Sequence, residues 1–449
     1  MSENRTQTAE VASPANAING VEARLLQGVA QEQTVAPQLP ATSVVWPRVA
    51  RALSHRNFRL FWTGNLISNV GTWMQNVAQG WLVLQLAGSN SAFWLGLVGF
   101  ASSLPMLGFS LVGGVIADRV NRRYLLMVTQ SAMMIFAFVL AALTHTQIVT
   151  IGAVVLLAFA TGLAMSLTMP AYQAMQTELV PREDLTNAIA LNSTQFNLAR
   201  IIGPTLGGFG ILWVGMVGNF VLNGLSFLAV LIALAAIHYP PRRPGADGGG
   251  MWADLAAGFR YVHRERVMFL LVLLVALASI FGIPYFIFIP LFAKEILHLT
   301  ERGFGLLMAC SGVGALLGAT TMAYIGRTRR RGRLVVSFTV AFLGAIVLFS
   351  LSRWAPLSGL MLAIIGFSMV MAIANVNALL QHLSSLEMRG RVMSIYTCAF
   401  LGLTPLGSLF AGSVAKWIGA PHAIAGMASV ALIGTILMWI MRPELRRLD

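Results

Sequence analysis

Charge is scarce in this chain, and so is the chemistry that charge usually brings. Only 10% of the 449 residues are charged, against about a quarter in soluble domains. Hydrophobic residues make up 57%, and mean hydropathy is +0.75. So few charged side chains cannot cover that much apolar surface in water. The composition therefore describes an integral membrane protein and excludes a soluble enzyme or a nucleic-acid reader, despite a net charge of +14. Cysteine is limited to Cys310 and Cys398, both inside apolar runs, and histidine to seven residues. That excludes a disulfide framework and a Cys/His metal cluster. No phosphate-binding Gly-x4-Gly-Lys-Ser/Thr loop occurs, so ATP-driven pumping would need a partner chain. None of the sixteen acids lies in the middle of an apolar run. Without a Ser/His, paired-acid or metal constellation in those runs, the chain does not read as an intramembrane enzyme. Neither cofactor nor metal is expected.

What the chain has is long apolar runs punctuated by arginine. A helix of about 20 residues crosses the hydrocarbon layer of roughly 30 Å. Twelve such spans are predicted, at approximately 60–87, 92–117, 124–144, 148–175, 193–214, 217–238, 267–293, 303–325, 333–352, 356–380, 390–415 and 420–441. Arginine supplies all but two of the thirty cations. The segments on the amino-terminal side, at 48–59, 119–123, 182, 242–266, 327–333, 389–391 and 442–447, carry 23 of them. The opposite side has only Lys294, Arg302, Arg353 and Lys416. Cytoplasmic loops carry such an excess, so the pattern predicts an even number of spans with both termini cytoplasmic.

Residues 1–45 hold no long apolar run and no signal-peptide pattern, and read as a disordered cytoplasmic tail. Residues 46–238 form the first six-helix bundle. Pro240, Pro241, Pro244 and Gly248–Gly250 then stop any helix, making 239–266 a cytoplasmic linker, and 267–449 form the second bundle. Trp252 to Val262 has the pattern of a short surface-lying amphipathic helix. The halves repeat weakly. Each has a basic loop after its second span ("DRVNRR", "RTRRRGR") and a Pro among small residues in its fifth ("GPTLGG", "TPLGS"). The predicted fold is all-α, with twelve transmembrane helices in two pseudo-symmetric six-helix bundles. In such duplicated architectures the substrate site lies near the midplane between the halves.

The run "GGVIADRVNRR" (113–123) resembles the loop signature of the major facilitator superfamily. Gly114, Asp118, Arg119, Arg122 and Arg123 fill its places, and Asn121 stands where the family usually has Gly. In the second half Gly326 occupies the acidic position. "ARIIGPTLGG" (199–208) resembles the fifth-helix motif of antiporters, with Gly203, Pro204, Gly207 and Gly208 in place. The stretch 56–89 is similar to the opening of the enterobactin-exporter and macrolide-efflux branch. The resemblance covers nearly everything after residue 50.

Physical chemistry gives these residues roles beside their topological one. Asp118 can pair with Arg122 or approach the positive end of a neighbouring helix, each favourable by about 0.3–1 kcal/mol. Such contacts latch the cytoplasmic side until the halves rock apart. Basic loops also orient the chain, and small residues also pack, so both motifs have plain structural readings. The polar residues of span 1 are more pointed. Asn65, Asn69, Thr72, Asn76 and Gln79 fall within roughly 80° of arc at 100° per residue. Amides facing lipid are costly, so the stripe should face helices or water. Thr161, Thr168 and Tyr172 in span 4, and Ser368, Asn375 and His382 in span 10, lie in similar register. Trp73, Tyr285, Phe286, Phe288 and Tyr396 are candidate aromatic walls. Arg200, predicted roughly 10 Å into span 5, costs about 2.5–3.5 kcal/mol near a span centre. It therefore either lines the route of an anionic substrate or pairs with a carboxylate such as Glu178.

The reading that follows is a bacterial inner-membrane secondary exporter of small amphiphilic molecules, siderophores or drugs, working by alternating access as a monomer. Its partners are the lipid bilayer, a small-molecule substrate and, as the resemblance implies, a proton; no nucleic acid is involved. Alternatives are a nutrient importer of the same superfamily and a non-transporting membrane sensor. The topology is directly testable. A reporter inserted within 327–333 is expected to report a cytoplasmic location, and a periplasmic location would overturn the twelve-span count.

Overall fold

The computed structural model describes residues 48–237, 251–325, 331–385, 387–442 and 444, and within them not the side chains of 107, 110–115, 117, 118, 251–255, 323–325 and a few others. The expectations for the 1–45 tail and for the side-chain roles around Gly114 and Asp118 fall outside this set. The described chain is helical throughout. Nine of its segments are long and apolar enough to cross a membrane, and one of them, Arg182–Ala236, is 55 residues long and makes two passes. Ser91–Arg119 and Arg56–Leu86 complete the twelve. The amides of Arg56–Leu86 hold down its hydropathy although its 31 residues exceed a bilayer's thickness.

The spans are therefore span 1 (Arg56–Leu86), span 2 (Ser91–Arg119), span 3 (Arg122–His145), span 4 (Ile151–Glu178), span 5 (185–214), span 6 (216–236), span 7 (Arg266–Ile296), span 8 (Glu301–Ile325), span 9 (Arg331–Leu351), span 10 (Ala355–Leu383), span 11 (Arg389–Ile418) and span 12 (Ala420–Met441). Turns alternate between a basic end, which holds the arginine-rich loops, and a neutral end. Spans 5 and 6 are separated only by Gly215 at φ 70°, a left-handed conformation open to glycine at no steric cost. At the neutral end Trp213, Trp354 and Trp417 are all exposed, as in the aromatic belt of a membrane interface. Ile232, Leu348, Ile433 and Leu437 form part of an apolar, outward-facing surface suited to lipid.

Span 5 begins at Leu185 instead of 193. Its first turns contain Asn187, Asn192, Ser193 and Asn197, whose polarity concealed them in a hydropathy reading. Span 7 is irregular for a reason visible in its sequence. Pro284 and Pro290 cannot donate to the carbonyls of Ile280 and Phe286. The helix answers with two π-helical stretches, Ala278–Gly282 and Phe292–Ile296, flanking the short α-helix Tyr285–Leu291. The i→i−5 bonds Ile283 N–H to Ala278 O (2.9 Å) and Leu297 N–H to Phe292 O (2.9 Å) close them. Span 11 carries a third π-helical stretch, Cys398–Gly402.

Spans 1 to 6 and 7 to 12 form the two halves. They meet along two seams, spans 2 and 11 and spans 5 and 8. A Cβ on Gly96 would lie 2.6 Å from Ser408 O and 2.8 Å from Gly412 Cα, and one on Gly208 would lie 2.6 Å from Gly305 Cα. Backbones thus touch directly, the arrangement small residues permit between membrane helices. Both contacts lie toward the neutral end. Gly312, Gly314 and Gly318 of span 8 likewise face helix surfaces, Ile201 of span 5 and Ala363, Phe367 and Val370 of span 10.

At the basic end the turn Arg48–Ser54 is tied to the loop before span 5. Asp184, 5% exposed, accepts from Arg51 (3.2 Å) and meets His55 Nε2 at 2.7 Å, and Ala52 N–H donates to Asn187 Oδ1 (2.8 Å). Within the linker, 238–250 lie outside the described residues and Met251–Arg264 form a helix. That helix docks on the second half, with Val262 buried and Gly258 against Arg391. Its exposed Phe259 stacks on His263.

The break in span 7 leaves Ile280 O without its helical donor, and Gly407 of span 11 closes over that oxygen. A Gly407→Val substitution is expected to destabilise the protein by about 1–3 kcal/mol, read as a lower thermal midpoint in detergent. Gly390→Val, where no neighbour lies within reach of a Cβ, should cost markedly less.

Candidate functional site

Between the halves lies a cavity of about 790 Å³, within the range of sites that hold drug-sized ligands. Its two walls differ. The first half contributes most of the amides and hydroxyls, set among apolar residues such as Leu95, Met165 and Phe196: Asn65, Asn69, Thr72, Asn76 and Gln79 of span 1 all line it, joined by Gln75, Gln130, Thr161, Thr168, Tyr172, Gln173, Asn192, Asn197 and Asn223. The second half contributes Ile283, Tyr285, Phe286, Ile287, Pro290, Phe304, Met308, Met369, Phe400 and Thr404, a surface almost without polar groups. Its core is the short helix Tyr285–Leu291, which the two π-helical stretches set off from the rest of span 7. Trp73 reaches across, with its ring 5.6 Å from that of Phe286 and 6.1 Å from Phe196.

Arg200 stands where the walls meet. With span 5 starting at Leu185, it lies midway between that residue and Gly215, about 22 Å from the helix start at 1.5 Å per residue. Snorkelling to the basic end is beyond its reach. Its guanidinium lies 5.8 Å from the Phe286 ring centre, a cation–π distance, and its Nη2 is 3.9 Å from Met369 Sδ. Tyr285 is its electrostatic neighbour. The buried hydroxyls of Tyr285 and Ser311 have no hydrogen-bond partner of good geometry. All three contacts belong to the second half, so Arg200 bridges the halves at mid-membrane.

The alternative pairing of Arg200 with Glu178 is corrected by the structure. Glu178, at the last residue of span 4, holds Arg122, at the first residue of span 3, in a charge-assisted hydrogen bond. Arg122 is only 9% exposed. Arg123 donates from Nε to Leu234 O (2.6 Å) and from Nη2 to Ala235 O (2.9 Å). It thereby satisfies carbonyls at the carboxyl end of span 6, where a cation is favoured. Arg119 is exposed. The described contacts of Arg122 and Arg123 thus tie spans 3, 4 and 6 within the first half. In the fifth-helix motif, Gly203 and Gly207 face Trp73, Val70, Met74 and Val77 of span 1, whereas Gly208 faces Gly305 across the seam. Pro204 lines the cavity.

At the neutral end the halves are fastened together. Trp81 of span 1 stacks on Phe304 of span 8 (5.8 Å), and Lys294 of span 7 lies 5.8 Å from the Trp81 ring. Ser91 Oγ donates to Glu295 Oε1 (2.8 Å), and Lys416 sits over Phe93 (5.9 Å).

Two predicted route residues are not at the cavity. Asn375 is buried, donating to Met371 O (2.8 Å) and facing Met322 Sδ of span 8 (3.7 Å), so its amide is spent within the second half. His382 is exposed in the last turn of span 10 at the basic end. Phe288 turns into the core, and Tyr396 stacks on Phe400, which takes the lining position instead. Tyr172 does line the cavity, though its hydroxyl is donated to Asn192 and its ring stacks on Phe61 (5.0 Å). Sequence reasoning missed the polar face of span 5, Asn192, Ser193 and Asn197 with Arg200. Their spacing of three to five residues was a usable signal. It offered none for the Ser91–Glu295 bridge, which joins residues 204 apart.

Comparison with known proteins agrees with this geometry. The chain is 27% identical over 397 residues to the multidrug efflux pump Tap of Mycolicibacterium fortuitum, covering 86% of this chain and 95% of that one. It is 26% identical over 399 residues to the enterobactin exporter EntS of Citrobacter koseri, covering 88% and 94% respectively. In fold it matches a bacterial homologue of the human lysosomal transporter Spinster, solved inward-facing and unoccupied. There the TM-score is 0.63 at 16% identity, over 90% of this chain and 97% of that one. The twelve-helix, two-bundle transporter fold and the multi-pass membrane placement follow from these likenesses and the apolar spans. Residues 49–449 match the model of one family along its course, and the chain belongs to that family, the transmembrane secretion effectors of the major facilitator type.

Proposed function

We propose that this protein is a secondary exporter that carries small amphiphilic molecules, siderophores or drugs, across the bacterial inner membrane by alternating access. The observation that carries the reading is the central cavity, largely apolar with most of its polar groups on one wall, which the described inter-half contacts close at the neutral end. The efflux and siderophore-export functions named for its relatives support export over uptake. With the basic end cytoplasmic, as the arginine bias implies, the conformation is inward-facing and ready to load. The outward-facing state then forms by parting Trp81 from Phe304 and Ser91 from Glu295, while Gly114, Asp118, Arg119, Arg122 and Arg123 close the cytoplasmic side. Asn65, Asn69, Thr72, Asn76, Gln79, Tyr172 and Arg200 line the route. Gly203, Pro204, Gly207 and Gly208 hold span 5 close enough to seal it.

Proton coupling in this reading falls on carboxylates at the ends of the spans, since the described residues that line the cavity include none. Glu295 is suited to the task. Its bond to Ser91 crosses the halves, so opening the neutral end releases the carboxylate to periplasmic protons. The fold functions as a monomer, because both walls of the cavity come from one chain.

Purified protein in proteoliposomes should move a macrolide or a siderophore against an imposed pH gradient. Asp118→Asn and the pair Asn69→Leu with Asn76→Leu should each lower the flux by about tenfold or more. Movement indifferent to the gradient and to these changes would count against the reading. Gly208→Leu should hold the neutral end apart. Its flux is expected to vanish while a cysteine at Ser91 becomes reactive to a membrane-impermeant maleimide from the periplasmic side. Unchanged labelling would remove the seam from the mechanism.

A further inference from the structure

Among the described residues that line the cavity, Arg200 is the one charged side chain; no Asp, Glu, Lys or His accompanies it. The acids that might neutralise it are engaged elsewhere. Glu178 holds Arg122, Asp184 holds Arg51 and His55, and Glu295 holds Ser91, all near the ends of the spans. Around Arg200 are an aromatic face at 5.8 Å, a thioether at 3.9 Å and the phenol of Tyr285. None of them carries a full negative charge. A cation inside a membrane is normally paired or marks a ligand's path, and this one has no carboxylate partner among the described residues, within a space large enough for a ligand. A second, independent observation lies beside it. The buried Tyr285 hydroxyl belongs to a residue lining the same cavity and has Arg200 and Ser311 as neighbours, but no hydrogen-bond partner of good geometry, which is rare for such a group. A guanidinium and a phenol therefore converge on one spot with no anionic acceptor among the described residues.

We infer that the cavity selects amphiphilic organic anions, with Arg200 as the charge-recognising residue and Tyr285 as its companion donor. This rests on the transporter reading above and sharpens it to a substrate class. A planar anionic group, carboxylate or phenolate, matches the fork of the guanidinium. The amides of span 1 serve the polar part of the ligand, and Phe286, Phe304, Met308 and Met369 receive its apolar or aromatic body. Because the present contacts of Arg200 all reach into the second half, an anion arriving at the guanidinium competes with the Phe286 face and alters the junction between the halves. Ligand charge is thereby linked to the element that has to move.

Two xanthene dyes of similar shape and opposite charge test the inference: fluorescein, an anion, and rhodamine 6G, a cation. Binding to the full-length protein in detergent is followed by dye anisotropy, with the empty-micelle signal subtracted. Wild type should bind fluorescein at least about tenfold more tightly than rhodamine 6G. Arg200→Lys should keep most of that preference and Arg200→Gln should abolish it. Asn197→Asp leaves Arg200 in place and sets a carboxylate one turn away on the same face. It should shift the preference in the same direction as Arg200→Gln, and it carries the test where Arg200→Gln does not fold. Equal or tighter binding of rhodamine 6G to wild type, no fluorescein binding up to about 1 mM, or a fluorescein preference that survives Asn197→Asp would overturn the assignment. Anisotropy requires no transport. Protein that binds fluorescein through Arg200 yet moves nothing in proteoliposomes defeats the exporter reading alone. Protein that moves drugs but ignores fluorescein defeats the anion assignment alone.

Discussion

A guanidinium at the middle of a membrane cannot face hydrocarbon, and neither can a file of amides along a helix. Each exposed polar group would cost several kcal/mol in lipid. Arg200 and the stripe from Asn65 to Gln79 therefore require a shielded, water-accessible space between the helices that carry them. Much of the architecture follows from that demand. Spans 1, 4 and 5 turn their polar faces toward one another and away from the lipid-facing surfaces that carry Ile232, Leu348 and Leu437. The space they share lies at the junction of the halves, where the proposed alternating-access cycle would cover and uncover it.

The two walls divide the labour of recognition. Hydrogen-bonding capacity comes mainly from the first half, and apolar contact comes from both, with the second half contributing little else. Span 7 achieves its part through irregularity: Pro284 and Pro290 interrupt the backbone ladder, and the π-helical stretches around Tyr285–Leu291 re-aim a short aromatic segment into the cavity. Such bulges recur at functional sites because they change which side chains face inward without ending the helix. Closure at the neutral end uses a different economy. The glycine pairs Gly96–Gly412 and Gly208–Gly305 let backbones touch, and only a few polar and ring contacts join the halves there. Contacts that are shallow and small suit an interface that parts in the proposed transport cycle.

Much of this was legible beforehand. The apolar runs and the arginine bias gave the spans and their alternation because the bilayer imposes length and polarity on each helix separately. The stripe of span 1 could be read as cavity-facing for the same local reason. Residues whose meaning depends on a neighbour were harder. Glu178 was equally plausible for Arg122 and Arg200 until the ends of spans 3 and 4 were brought together. Asn375 and His382 shared a register with true lining residues of other spans, but span 10 is rotated so that one amide packs on span 8 and the imidazole projects at the basic end. The depth of Arg200 was underestimated because the polar first turns of span 5 resemble a loop in hydropathy, although they are helix facing water.

The sequence by itself determined the number of passes, their alternation and the side on which arginine gathers, together with the presence of costly polar groups that had to be hidden. Those are properties of single segments in a solvent of fixed thickness. The tertiary structure alone decided which polar faces share one cavity, that Arg200 meets Phe286 and Tyr285 in place of a carboxylate, and that Ser91 and Glu295 clasp the neutral end. Each of these depends on the rotation and crossing of helices far apart in the chain, set by ridge-and-groove packing and by proline-induced breaks that no local pattern of hydrophobicity records.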